Sequence, residues 1–214
     1  MQRAAAGQDT FERAFHTVAE RWCVAVEALD PLAQGHSARV GLYASALAER
    51  VGVQTAQLPW YRIGGLLHDV GKAVVPSTVL TKPGALTAAE RRIIEQHPVV
   101  GADMVAALAW PFDVRPMVLH HHERWDGGGY PHGLAHEAIP LCARIMAVAD
   151  VFDALTSERS YRPAYSPRQA IAIMTADSGG AFDPALFDAF RALMAPQAST
   201  PAAVLHAAGE RAIA

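Results

Sequence analysis

The chain has 214 residues, 51% of them hydrophobic and 18% charged, enough for one domain with a sizeable buried core. No apolar run reaches the roughly 18 to 20 uncharged residues of a membrane-spanning helix, and the start, MQRAAAGQDTFERAF, has no basic segment followed by an apolar core, so a cytoplasmic location is expected. The formal net charge is −3 and the basic residues are scattered, which argues against a partner as acidic and extended as long nucleic acid.

Phe11, Phe15, Val18, Trp22, Ala25 and Leu29 recur at steps of three and four, the face of an amphipathic helix that stops at Asp30-Pro31. A second stripe follows Gly35 through Val40, Tyr43, Ala44, Leu47 and Val51, and a third helical segment runs from about Leu58 towards Lys72. Thr87 opens Thr-Ala-Ala-Glu, a capping box with Glu90, and predicts a helix to about Leu108, ended by Trp110-Pro111. Another helix is expected from Val114 to about His122, stopped by the three glycines of the loop Asp126 to Pro131. Leu141, Ile145, Val148, Phe152 and Leu155 form a further stripe, and Ser166-Pro167 and Asp183-Pro184 read as helix starts. The stretch from Ala195 is rich in alanine and is expected to end loosely. There is no strand alternation, no repeat and no dividing linker. The expected fold class is all-α.

Cys23 and Cys142 lie far apart and suggest neither a disulfide framework nor a thiolate zinc site; both read as small buried hydrophobes. Ten histidines, three of them consecutive at His120, His121 and His122, invite a search for metal ligands. In His68-Asp69 a neutral nitrogen stands beside a carboxylate able to bridge two cations, although such a pair alone is weak evidence. The order His36, His68-Asp69, His97, His121-His122, Asp150 spreads ligand types over several helices, the way bundles build di-metal sites in their cores. Imidazoles and carboxylates without thiolates suit Fe, Mn, Ni or Zn.

His-Asp-Val-Gly-Lys at 68 to 72, His-His-Glu-Arg-Trp-Asp-Gly-Gly-Gly-Tyr-Pro at 121 to 131, and the run from Arg144 to Ser157 resemble the signature stretches of the HD-GYP family. Gly-His-Ser at 35 to 37, Leu-Thr-Lys-Pro-Gly-Ala-Leu-Thr at 80 to 87, His-Pro-Val-Val-Gly at 97 to 101 and Phe-Asp-Pro at 182 to 184 extend the match over residues 20 to 190 or so. The resemblance implies an HD-type helical bundle with additional helices around the Gly-Tyr-Pro motif. Its catalytic domain would occupy residues 20–195, between a short extension (1–19) and an Ala-rich tail (196–214).

The activity implied is metal-dependent hydrolysis of cyclic di-GMP to pGpG, with continuation to GMP left open, by a hydroxide bridging two divalent ions, Fe or Mn. The resemblance assigns His36, His68, Asp69 and Asp150 to one metal, and Asp69 with His97, His121 and His122 to the other. Asp69 is then a catalytic bridge. Lys72, one helical turn from His68, is the candidate to steady a non-bridging phosphate oxygen as charge builds up. Arg159 and Arg162 match basic positions suited to a second phosphate or a guanine edge. Glu123, Asp126 and Asp153 are expected to hydrogen-bond ligand histidines or arginines, and Tyr130 to shape the pocket or a docking surface. His120 lies outside the matched pair, and His16, His132, His136 and His206 match no motif position.

Some members of the family hold a third metal through a glutamate four residues before the first histidine ligand. Here that position is Leu32, and Glu27 lies across the Asp30-Pro31 break, so two metals are expected. Two other readings stay open: hydrolysis of another cyclic dinucleotide or nucleotide phosphate, and a non-catalytic nucleotide-sensing or docking module. A diguanylate cyclase, another signalling protein or a second copy of the chain are the candidate partners.

Overall fold

The computed structural model describes residues 2–30, 33–158 and 162–195, with side chains from residue 12 onward. Helices α1 (Gln2–Glu27), α2 (His36–Arg50) and α3 (Leu58–Leu67) come first, followed by a 3₁₀ turn over Val70–Val74 and a single turn, α4 (Ser77–Leu80). Then come α5 (Ala88–Ile94), α6 (His97–Ala106), α7 (Arg115–His120), α8 (Leu141–Thr156), α9 (Pro167–Ala176) and α10 (Pro184–Met194). The described residues contain no strand, only an isolated bridge between Ser178 and Phe182. The all-α expectation holds. No helix among them is long and apolar enough to cross a membrane.

Two apolar cores hold the helices together. In the first, Val40, Tyr43 and Leu47 of α2 meet Ile145, Val148 and Phe152 of α8 and Phe187 and Phe190 of α10. Tyr43 and Phe152 stand edge to face, ring centres 5.2 Å apart, the geometry that aromatic quadrupoles favour. In the second, α1 lies on α3: Ala19, Cys23 and Val26 are buried with Trp60, Ile63 and Leu67, and Phe15 packs between Trp60 and Trp110. Burial pushes the Cys23 thiol up to about 12, as a packing residue rather than a reactive one.

The contact stripe of α1 runs through Phe15, Ala19, Trp22 and Val26, so Ala25 and Leu29, predicted to be buried, are exposed. Leu29 lies beyond the end of the helix at Glu27. Phe11 and the Ala-rich tail lie outside the described side chains. The helix starts at Thr87, Ser166 and Asp183 are as predicted, each with its side chain accepting an N-terminal amide.

The helix predicted from Thr87 to Leu108 is in fact two. Pro98 has no N–H to give the carbonyl of Ile94 and its ring crowds that carbonyl, so α5 ends at Ile94 and α6 starts afresh at His97. The acceptor left over at Ile94 takes the Nδ1–H of His97 at 2.7 Å.

Candidate metal centre

Five elements bring the predicted ligands together. His36 opens α2, His68 and Asp69 follow α3, His97 opens α6, His121 and His122 leave α7, and Asp150 comes from the middle of α8. His68, His97 and His121 are entirely or almost entirely buried.

Each of these three imidazoles has its Nδ1 within 2.7–2.8 Å of a backbone carbonyl three residues earlier: Gly65, Ile94 and Val118 respectively. A carbonyl only accepts, so Nδ1 must carry the proton and Nε2 presents a lone pair. The Nε2 atoms of His97 and His121 are 3.3 Å apart, and Nε2 of His68 is buried without a partner. Lone pairs facing one another in a buried space are satisfied by a cation and by little else. Burial also lowers the basicity of His68, His121 and His122, the last to about 3, keeping them neutral as ligands must be.

Asp69 reaches in two directions. Its Oδ1 lies 3.2 Å from His97 Nε2 and 3.9 Å from His121 Nε2, while Oδ2 lies 3.4 Å from His68 Nε2 and 4.0 Å from His36 Nε2. One carboxylate therefore joins two ligand groups, His36 with His68 and His97 with His121 and His122. Asp150 Oδ1 adds to the first, 3.2 Å from His36 and 3.8 Å from His68. The residues present fit a cation on either side of Asp69. Burial opposes charge on Asp69, but Lys72 and the neighbouring imidazoles hold its carboxyl well below the usual range. Asp150 is likewise held far below it by His36 and His68 against the opposing effect of burial.

His36 differs from the other imidazoles because its Nδ1 partner is a carboxylate, Asp153, at 2.7 Å. Burial disfavours its protonation, yet Asp150 and Asp153 outweigh that and raise it to about 9. The anions that draw a proton to this ring also draw a metal ion, and the two compete for Nε2. Asp153 is held in turn by Arg39 and by Ser157.

The backbone around the centre is packed too closely for side chains at two motif glycines. A Cβ on Gly71 would collide with the His97 carbonyl and the Gly101 amide, so the glycine of His-Asp-Val-Gly-Lys lets the Asp69 turn lie against the start of α6. A Cβ on Gly129 would strike the backbone from His122 to Arg124, where the Gly-Tyr-Pro loop folds back. Tyr130 then donates its amide to His122 carbonyl at 3.2 Å and lays its ring 4.8 Å from the His122 ring. Tyr130 thus walls the ligand it follows.

Of the remaining candidates, Asp126 meets an arginine and Lys72 lies beside Asp69, as expected, whereas Glu123 and Arg162 are placed differently. Glu123 is buried, but it holds the loop rather than a ligand histidine: its oxygens accept the amides of His132 and Leu134. Asp126 pairs with Arg124, which also reaches Asp177, and ties the loop to the end of α9. Arg162 was a candidate for substrate binding, but its guanidinium donates to the carbonyls of Ala154 and Leu155 in the last turn of α8, and to that of Pro163. Arg159 lies outside the described residues. Lys72 is at the centre, its Nζ 2.5 Å from Asp69 Oδ2.

Two contributors were not assigned a role from sequence. Glu27, across the Asp30-Pro31 break, folds back so that its carboxylate accepts the amides of Gly35 at 2.8 Å and Ser37 at 3.0 Å. It thereby satisfies the N-terminal donors of the helix that His36 begins. With His36, Asp69 and Lys72 it lines a cleft beside the ligands. Arg39, one turn after His36, was the obvious signal for a carboxylate partner, but the partner is 114 residues away.

The HD domain family matches residues 25–186. The chain is 39% identical over 190 residues to the cyclic di-GMP phosphodiesterase response regulator RpfG of Xanthomonas campestris, covering 88% of this chain and 50% of that protein. It is 40% identical over 167 residues to 3'3'-cGAMP-specific phosphodiesterase 3 of Vibrio cholerae, covering 78% and 36%. The fold is similar to the solved structure of an HDG"Y"P protein from Bdellovibrio bacteriovorus, with a TM-score of 0.65 and 19% identity over 86% of this chain and 64% of the other. The chain spans half or less of the length of these curated relatives. With the His-Asp pair inside the ligand cluster and the Gly-Tyr-Pro loop packed on its His122, the chain belongs to the HD domain family, in its HD-GYP form.

Proposed function

We propose that the chain is a metal-dependent phosphodiesterase that hydrolyses cyclic di-GMP to pGpG, using two divalent ions, Fe or Mn. The observation that carries this reading is the double reach of Asp69, whose two oxygens face two separate groups of imidazole nitrogens. Two ions so held would supply Lewis acidity and an activated water to a phosphodiester.

The protein's own groups do the rest. Lys72, beside Asp69 and on the cleft, would swing its ammonium to a non-bridging phosphate oxygen, where charge grows as the ester is attacked. Arg159 is assigned to the far half of the dinucleotide. The Tyr130 ring, tilted against that of His122, would limit the approach of solvent and base to that side of the centre.

The relatives named for cyclic di-GMP support the substrate. The relative named for 3'3'-cGAMP supports a second reading, in which the same centre takes that mixed dinucleotide. Anaerobic purification with elemental analysis, followed by chromatography of products from cyclic di-GMP, 3'3'-cGAMP and cyclic di-AMP, tests both. Faster turnover of cyclic di-GMP is expected. Preference for 3'3'-cGAMP would select the second reading, and no hydrolysis by metal-loaded protein would leave a binding module.

A further inference from the structure

We propose that His120, Glu123 and His132 form a separate site for one borderline divalent ion of the zinc class, at the root of the Gly-Tyr-Pro loop. Their donor atoms all lie within 4.8 Å of one another, and none of the three belongs to the Asp69 centre.

His120 Nδ1 is buried and has no hydrogen-bond partner. Glu123 Oε1 is 3.7 Å from it, beyond hydrogen-bonding distance but suited to two ligands flanking an ion. The Glu123 side chain is buried and fixed, since each oxygen takes one loop amide, and each keeps a second lone pair. His132 completes the set from the other end of the loop, its ring centre 5.3 Å from that of His120, and its exposure leaves a fourth position open to water.

Two imidazoles and one carboxylate plus water is a tetrahedral zinc-type set. Calcium and magnesium, which prefer a shell of six or more oxygens, are poorly served by it. The three residues span a short stretch of chain, so little loop entropy opposes chelation. An ion there would fasten the loop that carries Tyr130 to the end of α7, immediately before His121 and His122. The proposal does not depend on the substrate of the Asp69 centre.

The test uses the full chain with its Asp69 centre loaded with manganese, dialysed against zinc buffered at micromolar free concentration. Elemental analysis is expected to find one more zinc per chain than in His132→Ala, with equal manganese in the two. His132→Cys, which restores a donor, should recover that equivalent. Crystals of the zinc-loaded protein should show an anomalous peak at the zinc edge within about 2.0–2.2 Å of the three donors. Equal zinc in the wild type and His132→Ala, or no peak at these side chains, would overturn the proposal.

Discussion

Asp153 Oδ2 stands 2.7 Å from His36 Nδ1, while Arg39 grips the same carboxylate through Nε at 2.6 Å and Nη2 at 3.0 Å. The ring of His36 is therefore aimed by a carboxylate that is itself aimed by a guanidinium fork. Asp153→Asn keeps the shape and removes the charge. Metal affinity measured by competition with a chelator should fall about 10- to 100-fold, the usual cost of losing a partner behind a ligand, with activity recovering in excess metal. Unchanged affinity would show that the relay does not tune His36.

Asp69→Ala deletes the one side chain that faces both ligand groups. Elemental analysis should find most of the metal lost and product chromatography no hydrolysis. Full metal content with normal turnover would remove Asp69 from the centre.

Lys72→Ala should leave the metal content close to wild type and lower kcat by roughly 10²- to 10³-fold, the range for losing one stabiliser of transition-state charge. An unchanged kcat would reduce Lys72 to a counter-ion for Asp69.

The two arginines should now separate. Arg162→Ala uncaps the end of α8, and we expect a lower melting temperature with equal losses of activity on cyclic di-GMP and on a small chromogenic phosphodiester. Arg159→Ala should instead raise KM for the dinucleotide more than for the small ester. The reverse pattern would return the substrate contact to Arg162.

Two ions are expected at the Asp69 centre itself. Glu27 reaches the cleft, but its carboxylate turns to the amides of Gly35 and Ser37 at the head of α2, and it belongs to neither group of potential ligands that shares Asp69. Anomalous scattering from iron in anaerobically grown crystals should show two peaks among the ligands, and Glu27→Gln should lower stability while leaving both. A third peak beside Glu27 would overturn this count.

The ligands were legible because the resemblance rests on contiguous strings, and the helices that carry them were legible from three- and four-residue spacing. What the sequence hid was contact at long range. Nothing near Arg39 in the chain points to Asp153, and nothing near Arg144 points to Asp183, 39 residues on, with which it pairs at 2.6 Å to join α8 to the cap of α10. The merging of α5 with α6 was a different error. The capping box at Thr87 and the apolar pattern beyond it predict one helix, which Pro98 divides. Glu27 was not counted as a ligand because it lies across the Asp30-Pro31 break, and its place at the head of α2 is again a contact between residues eight and ten positions apart.

Pro98 has a consequence out of proportion to its chemistry. In an unbroken helix the carbonyl of residue 94 would be consumed by the amide of residue 98, and nothing would decide which nitrogen of the neighbouring imidazole kept its hydrogen. By withholding that amide the proline leaves an acceptor at 2.7 Å from His97 Nδ1, and the tautomer is chosen by the main chain. A residue with no donor atom thus selects which face of an imidazole is basic, and an arriving ion finds the lone pair already turned toward it.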